Sequence, residues 1–256
     1  MSLRVSVAAL VRVIFKHPLD GESMLALERK GTVFEEAGQQ RVHVRAQPFG
    51  GAITFRSLEP LRTLIGDFQF DSERSRSEND FRILIRPSDW NVVKQFCLQH
   101  LVDDDTVLES DPDRELAEEF SNALGVSLRS SQYEQQPLDI LVEHQAVPTQ
   151  NPRAPGFATA RIYRIFEARI TDTSLAQMIC ANSERCSDQD LHEQALADFH
   201  KGGRGHSNAT LALSLKDLTE AYLAMSPESR AAPVTLYTHQ LERNVPAILG
   251  VGLGKA

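Results

Sequence analysis

The stretch DPDRELAEEFSNALG, residues 111–125, sets the reading of this chain. Asp111 carries a side-chain oxygen suited to an N-cap, Pro112 fits the first helical position, and Gly125 supplies a stop. Leu116, Phe120, Ala123 and Leu124 recur at helical spacing and make an apolar face. At about 100° per residue, Glu118, Glu115 and Glu119 fall within an arc of about 100°, and Leu116, Ala123 and Phe120 fill the adjoining arc. The pattern predicts a helix that buries one flank and presents three carboxylates along the other. Arg114 sits beside Glu118 at the far side of that acidic strip.

Working outward, the preceding sequence reads as strands. Residues Val5–Phe15 are rich in β-branched side chains and predict a central strand. A turn at Pro18–Gly21 leads to a second strand at Met24–Glu28, and Arg41–Arg45 alternates like a third, half-buried through Val42 and Val44. Pro48, Phe49, Gly50 and Gly51 then break the pattern. Adjacent glycines permit positive φ or close approach of the backbone to another group. Residues 57–110 read as an inserted subdomain. In it, Asp71–Asp80 is almost wholly polar and predicts a solvated loop, and Phe81–Ile85 predicts a short strand. Trp90, Val93, Phe96, Cys97 and Leu101 have helical spacing behind Pro87 and Ser88.

Beyond residue 125, Arg161–Ile170 alternates like a long strand, with Ile162, Phe166, Ala168 and Ile170 on one face and Tyr163 and Ile165 on the other. Leu191, Ala195, Leu196 and Phe199 predict a helix stopped at Lys201–Gly203. Asn208–Leu213 predicts a strand leading into a helix that opens at Ser214 and turns Leu218, Tyr222 and Met225 inward. Val234–Thr238 is a candidate last strand, and Val245–Gly254 is too rich in glycine to assign. The expectation is an α/β (α+β) fold with a mixed sheet, one domain over residues 1–256 with the insert at about 57–110.

Composition limits the function classes. The 256 residues are 41% apolar and 24% charged, ordinary for a globular chain with a substantial core. A net charge of -8 argues against bulk binding to nucleic acid or anionic membrane. The apolar run Val5–Phe15 is too short to span a bilayer, is interrupted by Arg12, and lacks a small-residue cleavage site after it. The three cysteines, Cys97, Cys180 and Cys186, form no zinc or redox pattern and read as reduced thiols in a cytoplasmic protein, although nothing in the sequence forbids a Cys180–Cys186 pair.

Crowded carboxylates raise one another's pKa unless a cation relieves them, and hard oxygen ligands with room for water suit Mg²⁺ or Mn²⁺. A metal so held polarises phosphoryl oxygens, and a neighbouring free carboxylate can take the proton from water. The order Arg114-Glu115-Leu116-Ala117-Glu118-Glu119 resembles the helical core of the Nudix box. Pro48-Phe49-Gly50-Gly51 is similar to the element that follows the third strand and opens the box in that family. The strand and helix from Asn208 to Met225 are similar to the family's closing pair. The resemblance implies a Nudix-like α/β/α sandwich that cleaves a diphosphate linkage in a nucleoside-diphosphate-type small molecule. It also implies that Glu115, Glu118 and Glu119 bind Mg²⁺ or Mn²⁺, that Arg114 orients a glutamate, and that Gly50 and Gly51 shape the adjoining loop. The sequence departs from the family in two ways. Residues 57–110 separate Gly51 from Arg114, with no clear counterpart of the glutamate expected between them, and the glycine after Glu119 comes late, at Gly125.

Lesser candidates carry plain alternatives. Residues 202–206, GGRGH, form either a phosphate cradle through backbone N–H groups with Arg204 and His206, or a helix stop and turn. Glu167 either faces the acidic helix as a base or is a strand glutamate paired with Arg169 or Arg164. Residues Asp103–Asp105 either add metal ligands or make a charged turn, and His192 and His200 read as surface residues of one helix. Three functions remain open: a metal-dependent hydrolase of diphosphate bonds, a Nudix-like nucleotide-binding or sensor module without turnover, and a protein-interaction domain using Trp90 and Phe96 of the insert. Clustered glutamates are also commonly a solvated helix face, and first-turn acids suit the helix dipole.

Overall fold

The computed structural model describes residues 2–36, 38–143, 146–148 and 156–251. Strands β1 (Leu3–Lys16), β2 (Ser23–Glu36), β3 (Gln39–Gln47), β4 (Phe49–Ala52) and β5 (Thr54–Phe55) come first. Next are α1 (Glu59–Ile65), β6 (Gln69–Phe70), α2 (Glu73–Ser77), β7 (Arg82–Ile85), α3 (Trp90–His100), β8 (Leu108–Glu109) and the acidic helix α4 (Asp113–Leu124). Strands β9 (Tyr133–Val142), β10 (Val147–Pro148) and β11 (Ala158–Ile170) lead to α5 (Thr173–Arg185), α6 (Asp188–His200), β12 (His206–Ser214) and α7 (Leu215–Leu223). The chain ends in α8 (Pro227–Arg230), β13 (Val234–Leu236), β14 (His239–Leu241) and α9 (Val245–Leu249).

The architecture is mixed α/β around a mixed sheet, and β1 is its axis. One edge of β1 pairs in parallel with β11 from Arg4 opposite Thr159 to Ile14 opposite Arg169. The other edge is shared by three antiparallel partners in succession: β7 against Leu3–Ser6, β4 against Ala8–Val11, and β2 against Val13–Lys16. Strand β2 continues past β1 to pair with β12 and β3. Because β1 is covered on both faces, its alternation separates two cores. Val5, Val7, Ala9, Val11 and Val13 pack in one with residues of α1, α3, α4 and α5, and Leu10 packs in the other with residues of α7 and α9. Strand β11 is divided in the same way, Ile162, Phe166, Ala168 and Ile170 joining the first core and Tyr163 and Ile165 the second.

Several expectations change. The Gly-Gly element does not break the sheet, because Phe49–Ala52 hydrogen-bonds to the middle of β1. Asp71–Asp80 is exposed along most of its length as expected, but it holds a short helix and is anchored at its ends. Asp71 lies 2.7 Å from the buried Arg4 guanidinium and accepts from Ser75, Ser72 caps the short helix α2, and Asp80 is buried. Residues 57–110 share the central sheet through β7 and the first core through Leu61, Phe81, Phe96 and Cys97. Phe96 is fully buried, whereas Trp90 is half-buried against the same core. The acidic helix begins one residue later than expected, with Pro112 at the N-cap and Asp111 accepting from the Asp113 N–H at 2.9 Å. The glycine-rich end contains α9, closed by Gly250 in the left-handed region, and Gly252–Gly254 lie outside the described residues. All three cysteines are free thiols. Among the described residues no helix is long and apolar enough to cross a membrane.

Candidate acidic site

Helix α4 docks on β4 through its apolar flank. Leu116 and Phe120 are fully buried, and the Phe120 ring stacks on Phe49 with centroids 4.6 Å apart. Such a contact contributes about 1 kcal/mol beyond the apolar area that it buries. This docking brings the glycine pair against the two glutamates nearest the apolar flank. The Gly50 N–H donates to Glu119 Oε2 at 2.7 Å. Glu115 lies beside Gly51 so closely that a Cβ there would sit 2.7 Å from Oε2 and 2.8 Å from Cδ. Gly50 has φ of 127° and faces β1, where a Cβ would meet the Ala9 carbonyl oxygen at 2.1 Å. Gly50 is therefore needed for close approach to the sheet, while Gly51 leaves room for the Glu115 side chain.

Glu118 lies farthest from the apolar flank and does not join them. Its side chain is 63% exposed and lies 3.8 Å from Arg114. Arg114 is itself 61% exposed, and its Nη2 is 2.5 Å from Glu115 Oε1. Arg114 thus braces Glu115, while Glu118 stays in solvent.

A strand supplies the carboxylate that the motif does not contain. Glu28 of β2 is fully buried, opposite Gln47 of β3 and Thr210 of β12. Gln47 Nε2 donates to Glu28 Oε2 at 2.8 Å, while Oε1 has no hydrogen-bond partner among the described residues and Lys30 Nζ stands 4.0 Å from it. Burial pushes the Glu28 carboxyl up. Glu119 is held well above the usual carboxylate range, first by burial and then by the charge of Glu28, against the opposing Gly50 hydrogen bond. Asp80 is raised by its own burial and also feels the charge of Glu115, although Arg82 Nη1 pairs with it at 2.9 Å. The sequence signal for Glu28 was available: a glutamate at an inward position of a strand, two residues after the buried Ala26.

Carboxylates desolvated together must share protons or take a cation. Among the described residues, no three His, Cys, Asp or Glu side chains come within reach of a single metal ion. Mg²⁺ ordinarily takes only one or two protein carboxylates, with waters and substrate phosphates in its remaining positions. The pair at the glycines has the donor chemistry for that mode.

The remaining candidates fall away from this site. Glu167 is buried on the face of β11 that carries Tyr163 and Ile165, while α4 packs in the core containing Phe166. It pairs with Arg169 at 2.9 Å and Arg12 at 3.7 Å, and lines a separate polar cavity of about 530 Å³ with Glu134 and Gln136. The backbone N–H groups of Gly205 and His206 donate to Asp198 Oδ2, so the glycine turn is filled by the protein's own carboxylate. Asp103 pairs with Arg164, and Asp105 accepts from the Val107 and Leu108 N–H groups in a charged turn.

No family model, curated protein or solved structure matches the chain.

Proposed function

We propose that the chain is a Nudix-like hydrolase that cleaves a diphosphate linkage in a nucleotide-type substrate with Mg²⁺ or Mn²⁺. One observation carries this reading. Gly50 and Gly51 precede Arg114 by more than sixty residues in sequence, yet Gly50 donates to Glu119 and Gly51 makes room for Glu115. An acidic helix serving only as a solvated face would have no reason to bring its glutamates onto a backbone that only glycine permits.

Mg²⁺ or Mn²⁺, when bound, supplies charge stabilisation to a phosphoryl oxygen and a more acidic water. The chain's own residues do the rest. Glu115 and Glu119 are the carboxylates that would hold the ion. The Gly50 N–H fixes the orientation of Glu119, and Arg114 holds Glu115 beside Gly51. Phe49 and Phe120 keep the helix seated on the strand and exclude water beneath it.

The test is a panel of dinucleotides and nucleoside diphosphates linked to a second group, incubated with Mg²⁺ or Mn²⁺ and assayed for released nucleotide. Turnover by the wild-type chain, lost in Glu119→Gln, supports the reading; a wild-type chain inert on every substrate with both metals overturns it. The exposure of Glu118 favours a second reading, a nucleotide-binding module without turnover. In that case nucleotides raise the melting temperature and are recovered intact.

A further inference from the structure

We infer that Glu28, from strand β2, pairs with Glu119 as the two carboxylates that hold the cation directly, with Glu115 reaching it through water; this rests on the hydrolase reading. Its two oxygens have different surroundings. Oε2 is fixed by Gln47 Nε2 at 2.8 Å, which sets the orientation of the whole carboxylate. Oε1 is buried with no hydrogen-bond partner among the described residues, and Lys30 Nζ, at 4.0 Å, is outside hydrogen-bond range. A side chain with no solvent exposure cannot satisfy that oxygen with bulk water.

The position of Glu28 points to a cation. The residue is inward-facing on β2, where α4 packs, and it is hydrogen-bonded to Gln47, three residues before the Gly50 that seats Glu119. A folded chain that only needed to fill space at residue 28 would use an apolar side chain like Ala26, two residues before it on the same face. A divalent ion between the two carboxylates would give Oε1 of Glu28 its missing partner and neutralise the pair. The two carboxylates would then come from separated parts of the sequence, strand β2 and the helix after residue 110, with the Gly50 N–H holding Glu119 in place.

The test compares Mn²⁺ binding by the full wild-type chain, Glu28→Gln, Glu119→Gln and Lys30→Met. Free Mn²⁺ is measured by electron paramagnetic resonance with and without inorganic pyrophosphate. Glutamine keeps the shape of residue 28 and an oxygen to accept from Gln47, so the fold is retained, as circular dichroism checks. The expected result is that Glu28→Gln weakens Mn²⁺ binding at least about tenfold, and that Lys30→Met leaves it equal to or tighter than wild type. Wild-type binding with Glu28→Gln within twofold of it overturns the role of Glu28 and leaves the hydrolase reading standing. Tenfold weaker binding in Lys30→Met would also overturn it, since the lysine would then organise the site. No Mn²⁺ binding by the wild type, even with pyrophosphate, removes the reading and the inference together.

Discussion

Replacing Gly50 with alanine tests how the site is built. Gly50 has φ of 127°, a conformation that costs an L-residue about 1–3 kcal/mol. The added Cβ would lie 2.1 Å from the Ala9 carbonyl oxygen and 3.1 Å from the Leu10 Cα. Both are backbone atoms of the central strand, so no rotamer change relieves the contact, and overpacking of this kind costs a further 1–3 kcal/mol or so. The sum is about 4 kcal/mol. For a chain of this size each kcal/mol corresponds to roughly 2–4 °C, so Gly50→Ala is expected to lower the melting temperature by about 8–16 °C. Differential scanning calorimetry, backed by urea unfolding to check for a single transition, reads this directly. A drop of less than about 3 °C would mean that β4 does not approach β1 as described, and the seating of Glu119 on Gly50 would lose its basis.

The neighbouring glycine should respond in the opposite way. At Gly51 the atoms met by a Cβ belong to the flexible Glu115 side chain, so Gly51→Ala should change stability by less than about 1 kcal/mol. It should weaken Mn²⁺ binding by displacing that carboxylate, and unchanged binding would argue against Glu115 as a ligand. A separate prediction concerns pH. Burial, and then the charge of Arg29, hold His239 below its usual range, with Asp188 only partly opposing. The unfolded chain therefore binds the proton more readily than the folded one. The stability linked to His239 is complete above about pH 6.5 and is lost as pH falls below it. In urea titrations at pH 7.5 and pH 5.5, His239→Gln should lose less stability than wild type across that interval, and an equal loss would refute the assignment.

What was legible in the sequence was whatever a local period encodes. The alternation of β1 and β11 is plain because both strands are buried on both faces, and the division of β11 between Phe166 and Tyr163 follows directly. The apolar flank of α4 was equally visible, and the same helical wheel ranks its glutamates: Glu115 and Glu119 adjoin that flank, whereas Glu118 lies beyond them and stays in water. Features fixed by distant partners were hidden. Asp71 looks like a loop residue until Arg4, sixty-seven positions away, is placed beside it. Gly50 and Gly51 carry no side-chain pattern, so their strand emerges only from the vacant stretch of β1 between β7 and β2. Among the described residues strand β9 has one neighbour, and its polar sequence with Pro137 is the composition of an edge strand, which carries no period-two signal. Helix α5 has a local signal of its own, Asp172 capping the Leu175 N–H ahead of Leu175, Ala176 and Ile179 at helical spacing. Glu28 shows locally as a glutamate at an inward strand position, but the helix that packs beside its strand begins some eighty-five residues later.

The central claim is that the glycine strand, the acidic helix and Glu28 converge on one divalent cation. Anomalous diffraction from a crystal soaked in Mn²⁺ and pyrophosphate tests it directly. The expected result is a single strong peak at ordinary coordination distance, about 2.0–2.3 Å, from carboxylate oxygens of Glu119 and Glu28, with Glu115 on the same side. A peak elsewhere, or none beside Gly50 and Gly51 at full Mn²⁺ loading, would contradict it.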